Sequence, residues 1–207
     1  MPRRLVISKA GSPSVLDVIE MPMPKPNDGE ICIEVHYAGI NFADTLMRLG
    51  LYRPRPPFPF TPGYEVSGTI HSLGKGVTGF ELGQRVVAAM PNGGQASHVI
   101  AATSRVIALP DDMSLQKAAA MPVIYITAHH MLHHLGNLKA TDTVLIHGGA
   151  GGVGTAALQL CQWAGVSKVW ATASGHKADI IERYGGIPID RHRQDFVEII
   201  KQETDGR

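Results

Sequence analysis

The stretch TVLIHGGAGGVGTAALQLCQWAG, residues 143–165, joins a short apolar run, a glycine-rich loop and a helical pattern that ends at a glycine. Within it, Gly149, Gly151 and Gly154 fit the spacing G-x-G-x-x-G between a predicted strand and a predicted helix. Glycines at this spacing allow a tight turn, close approach of the backbone to a pyrophosphate, and close packing of helix on strand. The segment therefore predicts a dinucleotide-binding loop, and a glycine turn without a ligand is the alternative.

The alternation of strand and helix continues to the end of the chain. Strands are predicted at 169–173 and 187–190, and helices at 177–186 and 195–206. The last helix carries Asp195 and Glu198 at capping-box spacing, with apolar residues on one face. This succession is typical of the first half of a doubly wound parallel sheet.

The residues that precede the glycine loop have a different pattern. ICIEVHY, residues 31–37, alternates Ile31, Ile33, Val35 and Tyr37 with Cys32 and polar residues, as a half-buried strand does. A short helix closed by Gly50 is predicted at 41–52, and a proline-rich loop follows at 53–63. Further strands are predicted at 63–74, 84–90 and 96–102. This spacing favours a small barrel or sandwich.

A helical stretch at 114–138 separates these two parts. Pro122 is expected to divide it into two helices, and Gly136 to supply a left-handed C-cap. The expected fold class is therefore mainly-β followed by α/β, with a β-rich domain at 1–121 and a partial nucleotide-binding domain at 122–207.

Composition excludes several classes of protein. The chain has 207 residues, 44% of them hydrophobic, and a formal net charge of +1, so it predicts an ordinary globular protein with no electrostatic attraction to nucleic acid or membrane surfaces. Its two cysteines, Cys32 and Cys161, are expected to be buried and inert, and cannot form a four-cysteine zinc site or a disulfide framework. With no signal-peptide core and no window long enough for a membrane span, a cytoplasmic setting is expected.

The identity of the dinucleotide follows from the second strand. The loop residues expected at the pyrophosphate are Gly149, Gly151, Gly152, Val153 and Gly154. An NAD site has an acidic residue about twenty positions further on, but residues 171–177, ATASGHK, contain no carboxylate. Ser174 and Lys177 suit a 2′-phosphate instead, and Arg191 is placed to assist. NADPH is the predicted cofactor, although Lys177 and Arg191 also fit plain solvated charges.

Taken together, several motifs resemble those of one enzyme family. They are AGINFADTLMRLGLY, PFTPGYEVSGTI, GVTGFELGQRV, AAAMPVIYITAHHML and VLIHGGAGGVGTAALQL. Their order is similar to that in the medium-chain dehydrogenases/reductases, within them the quinone oxidoreductase group and its branch related to the vesicle amine transport protein. The resemblance implies a GroES-like catalytic domain followed by a Rossmann domain.

The resemblance also implies that the chain acts without zinc. Zinc-dependent members have a cysteine where this chain has Asn41, and a histidine where it has Tyr64. Neither residue is a usual zinc ligand. Without a Lewis acid, hydride delivery from NADPH to an already polarised quinone or α,β-unsaturated carbonyl remains feasible. The implied activity is a zinc-independent, NADPH-dependent quinone or enone reductase.

By the same resemblance, Asn41 faces nicotinamide and substrate, Tyr52 lines the pocket and Thr127 contacts the nicotinamide. Tyr52 as a packed aromatic and Thr127 as a helix residue bonded to its own backbone are the alternatives. The chain differs from the family at a few positions, so the resemblance does not identify the acceptor substrate. These positions are Leu46, Ile124, His129 and Arg191.

Four histidines form the motif HHMLHH at 129–134. They make two i,i+4 pairs that are able to chelate a transition metal. The glutamate of a metalloprotease H-E-x-x-H is missing. We expect imidazoles that are partly packed and partly exposed, with adventitious metal binding as the alternative.

A second function is open at this stage. The family chain continues beyond the point reached at residue 207, completes the sheet and supplies the edge through which relatives form homodimers. A truncated, non-catalytic remnant with residual nucleotide binding is therefore the alternative, and turnover by the chain itself is expected to be poor.

Overall fold

The computed structural model describes residues 1–53 and 55–206. Pro54, within the predicted proline-rich loop, and the terminal Arg207 lie outside the described residues. The chain divides into two compact units, Met1–Val123 and Ile124–Arg207. This division falls two residues after the boundary predicted from the sequence.

The first unit is built on antiparallel strands. A hairpin pairs β1 (Arg3–Ile7) with β2 (Leu16–Glu20). A five-stranded sheet contains β3 (Glu30–Ala38), β4 (Glu65–Leu73), β5 (Arg85–Ala89), β6 (His98–Ala102) and β7 (Val106–Ala108), in the order β6-β3-β4-β5-β7. Its core is a cluster of β-branched and small apolar side chains centred on Ile31, Ile33, Val66 and Val86. The β-rich prediction is confirmed.

The predicted alternation in β3 holds only in part. Cys32 is fully buried and Tyr37 is 47% exposed, although the pattern predicted Tyr37 on the buried face. The register of β3 on β4 shifts between Cys32 and Ile33, and again between Val35 and Tyr37. At the first shift the unpaired residue, His71, lies on β4, and Ile31 and Ile33 stay in one core. At the second shift the unpaired residue, His36, lies on β3 itself, so Tyr37 departs from strict period two.

Two short helices complete the first unit. They are α1 (Phe42–Arg48), which ends just before the positive φ of Gly50 (77°), and α2 (Leu115–Ala119). A separate helix, α3 (Pro122–His129), begins at Pro122, so the proline divides the two helices as predicted.

A π-helical turn, His130–Leu135, extends α3. The prediction of a left-handed cap at Gly136 is wrong: Gly136 has φ −83°, and Asn137 has φ 48°. A π turn holds one more residue than an α turn. The reversal of the chain therefore falls one residue later, on an asparagine, which tolerates this conformation.

The second unit is a parallel sheet with helices between its strands. The elements are β8 (Thr143–His147), α4 (Gly152–Trp163), β9 (Lys168–Ala173), α5 (Ala178–Arg183), β10 (Ile187–Asp190) and α6 (Phe196–Glu203). The strand order is β10-β9-β8, which confirms half of a doubly wound sheet. Its core centres on Leu158, Cys161 and Ile181.

Two details of the helices differ from expectation. The helix α4 begins inside the glycine loop, at Gly152, rather than after it. At α6 the Asp195 carboxylate accepts hydrogen bonds from the backbone N–H groups of Val197 and Glu198, but the Glu198 carboxylate accepts from Lys201, so only half of the capping box forms. Among the described residues no helix combines the length and the apolarity required to cross a bilayer.

Candidate functional site

The glycine loop lies against the second strand of the parallel sheet. The backbone N–H groups of Gly148 and Gly149 donate to the hydroxyl and the carbonyl oxygen of Thr172, at 3.2 and 2.9 Å. A Cβ on Gly149 would lie 2.4 Å from the Cβ of Ala171, and one on Gly154 would lie 2.4 Å from the carbonyl oxygen of Gly148. Neither position has room for a side chain.

The turn and the two close packing contacts expected of the motif are made by three different glycines. The turn is made by Gly148, which has φ 71° and stands before the motif. Gly149 packs on the strand and Gly154 packs on the loop, whereas a Cβ on Gly151 would meet only the Gly148 carbonyl oxygen, at 3.3 Å. The backbone at Gly151 and Gly152 is exposed, so this part of the loop is open to a ligand.

The beginning of α4 suits an anion. The first N–H groups of a helix have no partner within the helix. At α4 they belong to Gly152, which is exposed, and to Val153, which is half-buried. The helix dipole adds partial positive charge at the same end. Backbone N–H groups of this kind bind phosphate without any basic side chain.

A cluster of polar and basic side chains lies at the carboxyl ends of β9 and β10. Ser174 follows β9 directly, and Arg191 follows β10. Both approach one imidazole: the Arg191 Nε donates to the His192 Nε2 at 3.2 Å, and the Ser174 Oγ lies 3.5 Å from that nitrogen. Lys177 is exposed in the turn after β9. The sequence pattern did not single out His192.

The same region contains a carboxylate that the sequence pattern did not reveal. Asp190 ends β10 and is in register with Ala173, the last residue of β9. A Cβ on Gly175 would lie 2.5 Å from the Asp190 Oδ2. The carboxylate accepts a hydrogen bond from the His192 backbone N–H at 3.0 Å and lies 3.8 Å from the Arg193 Nε.

The reason for this omission is topological. The acidic residue was expected at the end of the second strand alone, whereas Asp190 comes from the neighbouring parallel strand. Parallel strands end at the same edge of a sheet, and this signal was available in the sequence. A cavity of about 240 Å³ at that edge is lined by residues of both strands, among them Ser174, Gly175 and Asp190.

In the first unit, Asn41 belongs to a buried polar network. Its side-chain Nδ2 donates to the Glu65 Oε1 at 2.8 Å, and its backbone N–H donates to the Asp44 Oδ2 at 2.8 Å. The second oxygens of these carboxylates accept from the backbone N–H groups of Val123 and Gly63, at 2.8 and 3.0 Å. Glu65 is 2% exposed and Asp44 is 6% exposed. The network fixes the orientation of the Asn41 amide.

Burial perturbs both carboxyl groups. Desolvation raises the pKa of Glu65, the hydrogen bonds from Val123 and Asn41 offset part of that rise, and the nearby charge of Asp44 adds to it. Desolvation likewise raises the pKa of Asp44, against the hydrogen bonds from Asn41 and Gly63. Neither carboxylate was identified as a site residue from the sequence, because nothing in a linear pattern marks them as buried partners.

Tyr52 and Tyr64 pack in one apolar cluster with Met47 and Phe60. Tyr52 is half-buried there. The Tyr64 hydroxyl donates to the Met47 Sδ at 3.6 Å, and burial, followed by the influence of Tyr52 and Asp44, raises the pKa of Tyr64. Tyr64 is therefore a neutral packed phenol, which suits a metal ligand poorly.

Thr127 lies in the second unit, on α3, with its side chain exposed. Within the described residues its hydroxyl makes no hydrogen bond. The structure therefore does not show the alternative, in which this hydroxyl bonds to the backbone of its own helix. Asn41 and Tyr52 lie in the first unit, and the glycine loop lies with Thr127 in the second.

Comparisons with known proteins agree with this description. Residues 27–111 match the alcohol dehydrogenase GroES-like domain. The synaptic vesicle membrane protein VAT-1 homolog of Danio rerio is 40% identical over 181 residues, which are 86% of this chain and 37% of that protein. The quinone oxidoreductase of Lama guanicoe is 36% identical over 206 residues, 98% of this chain and 62% of that protein.

Among solved structures, the quinone oxidoreductase of Escherichia coli complexed with NADPH superposes with a TM-score of 0.90 at 33% identity, over 99% of this chain and 63% of that one. The chain thus spans between about a third and two thirds of the length of these relatives. It is a homologue of the VAT-1 proteins and quinone oxidoreductases of the medium-chain dehydrogenase/reductase family, with a GroES-like antiparallel domain followed by half of a doubly wound parallel sheet.

Proposed function

We propose that the protein is an oxidoreductase that binds NADPH and transfers hydride to a quinone or an α,β-unsaturated carbonyl compound without zinc. The observation that carries this proposal is the glycine loop, which is closed to side chains at Gly149 and Gly154 but leaves the first N–H groups of α4 open. The NADPH bound by the Escherichia coli relative, at a TM-score of 0.90, supports the choice of nucleotide.

On the nucleotide side, the N–H groups of Gly152 and Val153 are assigned to the pyrophosphate, and Gly151, whose own N–H donates to the Gly148 carbonyl oxygen at 2.9 Å, is assigned to its close approach. The 2′-phosphate is assigned to Ser174, Lys177 and Arg191, two of which already meet at His192. The Asp190 carboxylate opposes this assignment by its charge. Its hydrogen bond to the His192 N–H and its proximity to Arg193 offset part of that charge, so the net environment remains basic.

On the substrate side, Asn41 is assigned to the acceptor, Tyr52 to the wall of its pocket and Thr127 to the nicotinamide. The bond from Asn41 to Glu65 holds the amide in one orientation, which positions it without an entropic cost when the acceptor binds. The Thr127 hydroxyl is exposed and makes no hydrogen bond to a described residue, so it can donate to a carboxamide. When bound, NADPH supplies the hydride, and a proton from solvent completes the reduced acceptor.

A second candidate function is nucleotide binding without turnover. Within residues 1–53 and 55–206 the parallel sheet has three strands, which form one mononucleotide half. That half holds the adenosine end of a dinucleotide, whereas hydride transfer also needs the nicotinamide in position, which contributes roughly 7–11 kcal/mol to lowering a barrier.

The two candidates differ in one assay. We expect the purified chain to bind NADPH, as measured by nucleotide fluorescence, and oxidation of NADPH with 9,10-phenanthrenequinone then measures turnover. Binding together with turnover supports the reductase, and binding alone supports the second candidate. No binding of NADPH or of NADH would overturn both candidate functions.

The cofactor preference is testable at Lys177. Lys177→Ala should weaken NADPH binding by about 1.5–3 kcal/mol, because a charge-assisted bond to the 2′-phosphate is lost, and should leave NADH binding unchanged. Titrations with both nucleotides measure this. The matched control is Lys201→Ala on α6, which removes an exposed lysine paired with Glu198. An equal loss for both nucleotides, or a wild-type chain that prefers NADH, would refute the assignment.

The absence of a catalytic zinc is a separate prediction. Its basis is the chemistry of the residues present, since the Asn41 amide is bonded to Glu65 and the Tyr64 phenol to Met47. We expect metal analysis of a tag-free protein treated with chelator to find less than stoichiometric zinc and unchanged nucleotide binding. One zinc that is retained and required for activity would contradict this prediction.

A further inference from the structure

The histidine motif at 129–134 forms two ring pairs where α3 passes into the π-helical turn. The rings of His129 and His133 have centroids 4.7 Å apart and are tilted by 39°, and those of His130 and His134 are 4.8 Å apart and stacked at 22°. π-Helical turns are rare and frequently occur at functional sites. None of these residues takes part in the function proposed above.

The two pairs differ in one respect. The His133 Nε2 is buried and has no hydrogen-bond partner among the described residues. His129, His130 and His134 are exposed, so water can satisfy their nitrogens. A buried polar atom without a partner destabilises the fold, and a bound ion that accepts its lone pair removes that cost.

We propose that His129 and His133 form a two-ligand site for a first-row transition-metal dication. Metal–nitrogen bonds of about 2.0–2.1 Å to a tetrahedral ion place two donor nitrogens about 3.3 Å apart. The ring centroids of the tilted pair are 4.7 Å apart, so this separation requires a rotation of the rings that turns the His133 Nε2 out of its buried position toward His129. A bond to metal then satisfies the lone pair of the His133 Nε2.

The remaining coordination positions belong to water. No group of three or more His, Cys, Asp or Glu side chains in the described part of the chain could hold a metal ion. On the side of His129 only, a groove of about 400 Å³ that His133 does not line gives room for water ligands; it is lined by Tyr125, Ile126, His129, His130 and Leu160. Imidazole donors suit Cu²⁺, Ni²⁺ and Zn²⁺, with Cu²⁺ bound most tightly.

The test is calorimetric titration of the tag-free, metal-free chain with Cu²⁺ and with Zn²⁺. We expect one equivalent per chain, with Cu²⁺ tighter than Zn²⁺. His129→Gln and His133→Gln should each weaken binding about tenfold or more, because the chelate loses the advantage of two linked donors. The matched controls His130→Gln and His134→Gln, on the same helical segment, should leave the affinity unchanged.

Three results would overturn the proposal: no binding to the wild type, an equal loss from the control pair, or a small equal loss from all four substitutions, which marks adventitious binding. Far-UV circular dichroism checks the fold of each variant. If His133→Gln unfolds, the exposed His129→Gln carries the same expectation. The outcome is independent of the hydride-transfer proposal, because nucleotide binding is not part of the measurement.

Discussion

Gly154→Ala is expected to abolish nucleotide binding and to destabilise the second unit. The added Cβ would lie 2.4 Å from the Gly148 carbonyl oxygen and 2.6 Å from the Gly149 Cα, and both are backbone atoms that cannot turn away. Overpacking of this kind costs about 1–3 kcal/mol and can cost more. The loop must move in response, and we expect two hydrogen bonds to phosphate to be lost. Each such bond contributes about 1.5–3 kcal/mol, so the affinity for NADPH falls about 100-fold or more.

The matched control is Gly151→Ala. Its backbone (φ −86°, ψ 171°) is accessible to any residue, and its Cβ would meet only the Gly148 carbonyl oxygen, at 3.3 Å. Stability should therefore be retained while the methyl group obstructs the approach of the pyrophosphate. Unfolding followed by tryptophan fluorescence separates the two effects, because the exposed Trp163 and the buried Trp170 both lie in the second unit. Wild-type affinity in Gly154→Ala would show that the loop does not hold the nucleotide.

Glu65→Ala is expected to produce the largest loss of stability in the first unit. The substitution leaves the half-buried Asn41 Nδ2 and Val123 N–H without their acceptors, and a donor that is fully buried without a partner costs about 1–3 kcal/mol. Proteins of this size are stable by only about 5–15 kcal/mol. Urea unfolding followed by far-UV circular dichroism measures the loss, and tryptophan fluorescence follows the second unit separately, because both tryptophans lie there. A stability equal to that of the wild type would show that the network contributes nothing.

Glu65→Gln is the conservative control, because it retains the shape and one acceptor oxygen. It also isolates the effect of pH. The folded chain holds the Glu65 pKa above its ordinary value of 4.5, so it binds this proton more tightly than the unfolded chain does. The stability contributed by the group is complete below pH 4.5 and is lost as pH rises through the raised pKa. Wild type should therefore lose stability relative to Glu65→Gln as pH rises across that window.

The sequence predicted the elements whose signal is local. The glycine loop, the alternation of strand and helix around it and the break at Pro122 all depend on neighbours in the chain, and the structure confirms them. The hairpin of β1 and β2 was missed, because β2 is mostly exposed and shows no alternation. The strand β7 has only three residues, too few to establish a period.

The parts of the candidate site that could not be predicted depend on contacts between distant residues. Asn41 was identified, but its partner Glu65 is 24 positions away, and only the fold brings their side chains to 2.8 Å. The motif predicted a tight turn among its own glycines, whereas the positive φ belongs to Gly148, which stands before it. The role of each glycine depends on Ala171 of the neighbouring strand, which no spacing within the loop reveals.

The register between β9 and β10 has an evolutionary consequence. Asp190 stands opposite Ala173, beside Ser174, yet it lies on a different strand from Ser174 and far along the chain from the glycine loop. Substitutions at Asp190 therefore change the charge at this edge of the sheet without altering the backbone of the glycine loop. In a lineage with this architecture, a single mutation can therefore reverse the charge beside Ser174 while the glycine loop is inherited unchanged.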